Sequence, residues 1–540
     1  MNKLLKYITI SAGCLSILSN TGCEKALEEE VYSAITPVNF YKTEDDAKAA
    51  VNSVYGELYT FDLYMQPFWN LTLLDDDHVS GADWYLGAAG SGNPQNYWGV
   101  SRPWVGCYTM IARANTVLEN VSAMTGINEV IKNRVLGEAH FLRGLAYFQL
   151  VQLYGEVPIR LKSLTADPNA DVPKSSVKEV YDVVIADFKA AEANLLPPGH
   201  TSVGETGRVN KAVAQAFLAK AYLTMASGSA SNVTIMVKGG NDNVAYPHTK
   251  EVVAGHESFN SRDYFDLARQ KSLEVIETYK STYPLYQNWV DVWKKDNRNK
   301  GEHMWMLQSL AGTNFTNDLH SYFSARSLFG IGAVWMTNNH YNNYADQDER
   351  VLHGVTHNYQ ANWGTYYFYP KRDAAKYETV NGVTYNNDGS GDEKAFVIKY
   401  SDVSNPELGS SDAFFPLLRF PEVLLMYAEA ENEINGPTTE AYKALNEVRG
   451  RSEAGNAPIG MSKNGFRDYV LEERGREFAL ENAIRHFDLK RWGIYLSVMN
   501  KITSPQNNIN KQRSRRNLLL PIPPEEMNTN KAIKENNLGW

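Results

Sequence analysis

Apolar residues recur at steps of three and four through residues 138–159, EAHFLRGLAYFQLVQLYGEVPI, the longest stretch whose pattern, composition and ending all agree. Phe141, Leu142, Leu145, Phe148 and Val151 form the stripe, and Ala139, Gly144 and Ala146 are small enough to let a second helix come close. Gly155 is placed to cap this helix and Pro158 to break it. The pattern predicts a helix packed on more than one side. Thr43 caps another that opens Glu44-Asp45-Asp46, with acids where the helix dipole favours them and Ala47, Ala50, Val51, Val54 and Leu58 on one face. Further helical periodicity covers 108–121, 177–195, 211–225, 264–279, 421–434, 440–448 and 466–480. Alternating strand patterns are few, the clearest at 303–308 and 395–400. Helices in pairs suggest an α-solenoid of the 34-residue tetratricopeptide kind, but the period is not constant. Two polar, aromatic insertions, 75–103 and 288–413, interrupt it, so the reading is a helical scaffold with binding residues collected on inserted loops.

Composition sharpens that picture. The 540 residues are 43% hydrophobic and 21% charged, as in globular chains. A net charge of −9 with no basic block excludes a nucleic-acid backbone as the main partner. Tyr (32), Phe (20) and Trp (11) exceed what a core needs. Residues 1–22 read as an export signal, with Lys3 and Lys6 ahead of a short apolar run that leads to Thr21-Gly22-Cys23. Small residues before Cys23 resemble a bacterial lipobox, which makes this cysteine the lipidation site. The competing Cys14 would leave too short an apolar run. Residues 23–36 are acidic and form a tether. No later run reaches the ~20 apolar residues of a membrane span, so attachment falls to the lipid. Cys107 is left alone, which excludes an intrachain disulfide in the mature chain; it is expected to be a buried small hydrophobe.

The stretch at 138–159 resembles the signature of the SusD/RagB-like outer-membrane nutrient-binding lipoproteins, and further matches follow in the family's order. They are GRVNK at 207–211 with LAKAYLTMA at 218–226, RDYFDLARQKSLEVI at 262–276, FPLLRFPEVLLMYAEAENEI at 415–434, ALNEVRGR at 444–451, LEERGREFALEN at 471–482 with RHFDLKRWG at 485–493, and LLLPIPPEEM at 518–527. Asn482 departs from the glycine common among relatives. The resemblance implies a mostly α fold of tetratricopeptide-like helix pairs in a right-handed scaffold, with long irregular insertions and a few short strands. It further implies an N-terminal region 37–230 and a C-terminal region 231–540 forming one compact unit. Such proteins are generally not enzymes and carry no cofactor. They capture oligosaccharides at the outer membrane, facing the cell exterior, for a SusC-like TonB-dependent transporter. Glu28-Glu29-Glu30 is similar to surface-export signals of this family.

An aromatic ring packs against the apolar C–H face of a pyranose while polar side chains hold its hydroxyls. Trp84, Tyr85, Tyr97 and Trp98 in the first insertion, and Trp335 and Trp363 in the second, are therefore the expected stacking residues. Trp335 lies between Gly330-Ile331-Gly332 and Asn338-Asn339, a setting that could present a ring, and precedes Asp348-Glu349-Arg350, similar to a family landmark. Trp104, Trp293 and Trp305 read as core. Asp75-Asp76-Asp77 lacks the spread of oxygen ligands a calcium loop needs and is expected to be a polar loop entrance, not a metal site. Glu472, Glu473, Glu477 and Glu481 alternate with Arg474, Arg476 and Arg485, which reads as salt-bridged helix faces, and His486 reads as packed. No nucleophile, phosphate loop or metal constellation supports catalysis. Peptide or glycopeptide capture is the second reading of the scaffold, and glycan processing the third.

Overall fold

The computed structural model describes residues 40–540 except 202–205, 243, 326–327, 357, 361–365, 369–376, 381–382, 387–393 and 504–508. The signal, Cys23, the tether and Trp363 lie outside the described residues.

Ten helices carry the frame: α1 (Glu44–Gly56), α2 (Arg102–Ala123), α3 (Glu129–Tyr154), α4 (Val177–Asn194), α5 (Lys211–Ser229), α6 (Ser261–Tyr279), α7 (Phe420–Asn435), α8 (Thr439–Arg451), α9 (Lys463–Glu477) and α10 (Ile484–Arg491). From α2 to α8 each packs against the next, and α7 also against α9. Thr43 closes a reciprocal capping box with Asp46, and Ser176 does the same with Glu179 for α4.

The helix predicted at 138 begins nine residues earlier, where Asn128 accepts the Val130 amide at 2.8 Å. The sequence pattern hid this because Val130 is exposed and the first turns are polar. Beyond Glu138 nearly every side is covered. A Cβ on Gly144 would sit 3.0 Å from Asp187 and Phe188 of α4, so the close approach needs glycine there. Gly155 ends the helix at φ +71°, its amide reaching back to Val151 at 3.0 Å.

Among the described residues ten short strands accompany the helices: β1 (Val79–Gly81), β2 (Thr234–Gly239), β3 (Val244–Thr249), β4 (His303–Leu307), β5 (Val334–Met336), β6 (Asn358–Gln360), β7 (Tyr366–Phe368), β8 (Tyr377–Val380), β9 (Val383–Asn386) and β10 (Phe415–Arg419). They form three two-stranded antiparallel sheets, β1–β5, β4–β10 and β2–β3, and a four-stranded sheet in the order β6-β7-β9-β8. The β1–β5 pair, with Ser80 opposite Trp335, ties the first insertion to the second. The strand predicted at 395–400 is not one. Only Ala395 and Val397 make isolated bridges, and Lys399 leaves the line to reach Glu481 at 3.0 Å.

The charged faces expected on α9 are interior. Glu473, Glu477 and Glu481 are buried and meet arginines from three other segments. Arg419 of β10 bonds Glu481 at 2.6 and 2.8 Å, Glu477 at 2.9 Å and Glu302 at 2.6 Å. Arg350 bridges Glu473 (2.7 Å) and Glu477 (3.1 Å) while Asp348 holds its other edge, so the Asp-Glu-Arg landmark is part of the frame. Arg449 pairs with Glu473, and Arg451 with Glu477 and Glu302. Burial alone would drive the Glu477 carboxyl up, but the Arg451, Arg419 and Arg350 guanidiniums hold it at about 2. After Glu477 the helix cannot continue to 480 as predicted. Leu480, Asn482 and Ala483 take φ between +44° and +56°, a region asparagine tolerates. Asn482 also donates to the Leu417 carbonyl at 3.0 Å.

Removing one member of such a network leaves a buried charge without its partner. Arg419→Met should therefore lower unfolding free energy by about 3–5 kcal/mol, read as a fall in urea midpoint at unchanged slope. Acid should act on the same groups. Glu477 titrates near 2 folded and near ~4.3 unfolded, so its stabilisation is complete above the upper value and lost as pH falls through the lower. Burial holds His303 at about 4 and His486 at about 3, so protonation below ~6.5 favours the unfolded chain as well. Asp76, pushed up by burial and by the Asp77 carboxylate, opposes this trend. The urea midpoint should hold steady from pH 8 to about 6.5 and then decline continuously toward pH 2.

Candidate functional site

The first insertion folds around one buried amide. Asn70, on a short helix Pro67–Thr72, accepts the Tyr85 hydroxyl at 2.9 Å and donates to the Tyr97 hydroxyl at 3.0 Å. Two rings far apart in sequence are thereby fixed to one point, and the residue beside each turns outward. In the helix Asp83–Leu86, Leu86 is fully buried, which leaves Trp84 facing solvent at 64% exposure. Tyr97 is buried to 9%, and Trp98 after it is 59% exposed.

The exposed indoles have aromatic neighbours. Trp84 lies 5.7 Å from Tyr85, which is half-buried and stacks on Tyr322 at 4.1 Å with 12° between planes. Trp98 lies 5.4 Å from Tyr97 and 6.4 Å from Phe61, itself 47% exposed. Exposed Phe315 meets Tyr59 edge-on at 5.7 Å. Polar groups flank the rings. Asp62 and Arg102 pair at 2.9 Å beside Phe61, and burial raises the Asp318 carboxyl near Tyr322. Burial also pushes the Tyr85 and Tyr97 phenols up, so both stay neutral donors and the aromatic surface carries no charge of its own. Flat rings open to water beside hydrogen-bonding groups make a surface on which ring-shaped, hydroxyl-rich molecules can stack without covalent chemistry.

Two of the six stacking residues expected from sequence therefore stand exposed on this surface, and Tyr85 and Tyr97 support them from behind. Trp335 does not belong to it. Its pairing in β5 turns the ring inward to 4% exposure, with Phe396 edge-on at 5.8 Å and the Lys394 ammonium 4.5 Å above it. The flanking glycines that suggested display instead allow tight passage: a Cβ on Gly330 would lie 2.0 Å from the Ser324 carbonyl. Trp104, Trp293 and Trp305 are buried as expected, and so is Cys107. Phe61, Asn70, Tyr322 and Phe315 escaped the sequence reading. Phe61 in the polar turn after α1 was the legible signal, whereas Tyr322 sits in a short helix that reads as core.

Asp75-Asp76-Asp77 is no open loop entrance. Asp75 accepts Arg513 at 2.7 Å and the Tyr495 hydroxyl at 2.6 Å; Asp77 pairs with Arg485 at 2.7 and 2.8 Å. Asp76 accepts the His78 and Val79 amides at 2.8 and 3.0 Å. The triplet anchors the insertion to the C-terminal part of the chain. Glu473 and Glu477 of α9 are likewise enclosed in ion pairs, Glu472 accepts the Lys238 amide at 3.2 Å, and His486 is packed, its Nδ1 2.7 Å from the Asp75 carbonyl. Among the described residues no group of three or more His, Cys, Asp or Glu is placed to hold a metal ion.

Comparison with known proteins accords with this architecture. Residues 276–540 match the SusD family, and residues 28–223 match a SusD-like family described as "Starch-binding associating with outer membrane". Two SusD-like proteins of Formosa agariphila are 25% and 27% identical, over 99% and 97% of this chain and 98% of each relative. Among solved structures, a SusD homolog from Bacteroides thetaiotaomicron superposes with a TM-score of 0.72 at 20% identity, covering 94% of this chain and 99% of that one. A SusD-like carbohydrate binding protein from Bacteroides fragilis gives 0.69 at 20% identity, covering 92% and 100%. With both halves matched in order and the helical frame shared nearly end to end, the chain belongs to the SusD/RagB family, whose members are binding proteins and not enzymes.

Proposed function

We propose that this protein captures oligosaccharide on the arc of Trp84 and Trp98, backed by Tyr85, Tyr97 and Phe61, and passes it to a SusC-like TonB-dependent transporter. The observation that carries the reading is the outward display of two indoles from one loop locked by Asn70. Exposing so much apolar ring is unfavourable unless something covers it. Sugar faces match it better than peptide backbone, which calls for ordered polar partners. The matched family's description speaks of starch binding and of the outer membrane, and one similar structure is a surface glycan-binding protein A from Bacteroides uniformis. Among the described residues no helix is long and apolar enough to cross a membrane. Attachment is assigned to a lipid on Cys23, with residues 23–36 as tether and the binding face toward the medium. The regions 37–230 and 231–540 act as one body in this scheme.

A panel of neutral oligosaccharides and of peptides, titrated calorimetrically against the chain lacking its first 23 residues, tests the reading. Trp84→Ala and Trp98→Ala should each weaken the best glycan about tenfold, or ~1.4 kcal/mol, with melting temperature unchanged. Trp335→Ala should instead lower stability by about 3–5 kcal/mol, because that ring is core. Unaltered glycan affinity in both exposed-tryptophan variants would sink the platform. Asn70→Ala leaves the Tyr97 hydroxyl without its partner and should cost about 1–3 kcal/mol of stability, together with a rise in Trp98 mobility by fluorescence anisotropy.

A further inference from the structure

Away from the aromatic arc, a cavity of about 250 Å³ opens between the ends of α3 and α4, the segment after β3, and the chain following α10. Val151, Val177, Tyr181, Val252, Leu496 and Leu519 make an apolar part of its wall, beside polar residues such as Thr249 and Ser497. One cation lines it in an unusual state. Lys490 of α10 is half-buried, and its ammonium makes, among the described residues, no ion pair and no hydrogen bond; it lies 5.2 Å from the centroid of the Tyr495 ring. The nearest carboxylate acting on it, Asp75, is already bound by Arg513 and Tyr495. Its neighbour Arg491 is satisfied by Glu429 and Asp488. At the rim, Glu251 faces exposed Arg515 at 3.5 Å, so the one acid there is partnered.

An ammonium at the edge of an apolar wall with no ion-pair partner of its own is suited to a ligand that brings a carboxylate together with a hydrocarbon chain. The depressed Lys490 pKa, about 8 through burial, is consistent with that deficit.

We propose that this cavity is a second binding site, for a medium-chain monocarboxylate whose carboxylate pairs with the Lys490 ammonium and whose hydrocarbon chain lies along the Val177, Leu496 and Leu519 walls. The site shares no residue with the aromatic arc and does not depend on it.

The test uses octanoate as probe, with acetate and 1-octanol as half-probes, against the chain without its first 23 residues, all of which lie outside the described fold. Octanoate should bind saturably, and each half-probe at least tenfold more weakly, because one lacks the chain and the other the charge. Lys490→Met should lose at least tenfold for octanoate, and without ligand should melt at or above the parent temperature, since no native ion pair is removed. Leu496→Trp, which fills the cavity from its partly exposed side, should abolish octanoate binding while glycan binding persists. Absence of saturable octanoate binding by the folded parent would overturn the proposal. So would equal octanoate affinity in the parent and Lys490→Met, or in the parent and Leu496→Trp.

Discussion

The exposed aromatic surface is carried by insertions that buried carboxylates hold to the frame. Glu473 and Glu477 of α9, with Glu481 just beyond its end, gather arginines and a lysine from the second insertion, from β10 and from α8. Asp75 and Asp77 do the same for the first insertion through Arg513 and Arg485. Charge pairs of this kind add little net stability against an apolar core of equal volume, yet breaking one is expensive. Their effect is to fix where inserted chain must sit. A hydrophobic contact tolerates sliding, whereas a bidentate guanidinium–carboxylate pair has one geometry.

That constraint explains how long, polar insertions can present a defined surface. The two are joined to each other by β1–β5 and to the frame by ion pairs, so a loop rich in glycine and asparagine is held at several points. Asn70 then turns that rigidity into display. With Tyr85 and Tyr97 fixed, Trp84 and Trp98 have nowhere to go but outward. The same economy appears in α3, where Gly144 lets α4 approach and the family signature is spent on packing, not on ligand.

The charge distribution also separates two chemistries in one molecule. The aromatic arc is neutral, with phenols held protonated by burial, and suits uncharged hydroxylated rings. The cavity by Lys490 is its opposite, with an apolar wall beside an ammonium that has no ion-pair partner among the described residues.

The helical frame was legible in the chain because period, caps and breakers are local properties. Thr43, Gly155 and the apolar stripe of 138–159 act over a few residues and do not depend on distant partners. The inward turn of Trp104, Trp293, Trp305 and Cys107 was equally legible, since each lies beside apolar neighbours. Long-range pairing decided the rest. Trp335 and Trp84 occupy similar glycine-rich polar settings in sequence, and only the β1–β5 register buries one while the placement of Leu86 exposes the other. The acids at 75–77 and 472–481 carry no mark in sequence that separates a solvated face from a buried ion network. Their partners lie up to several hundred residues away, and the choice between water and protein belongs to the tertiary structure alone.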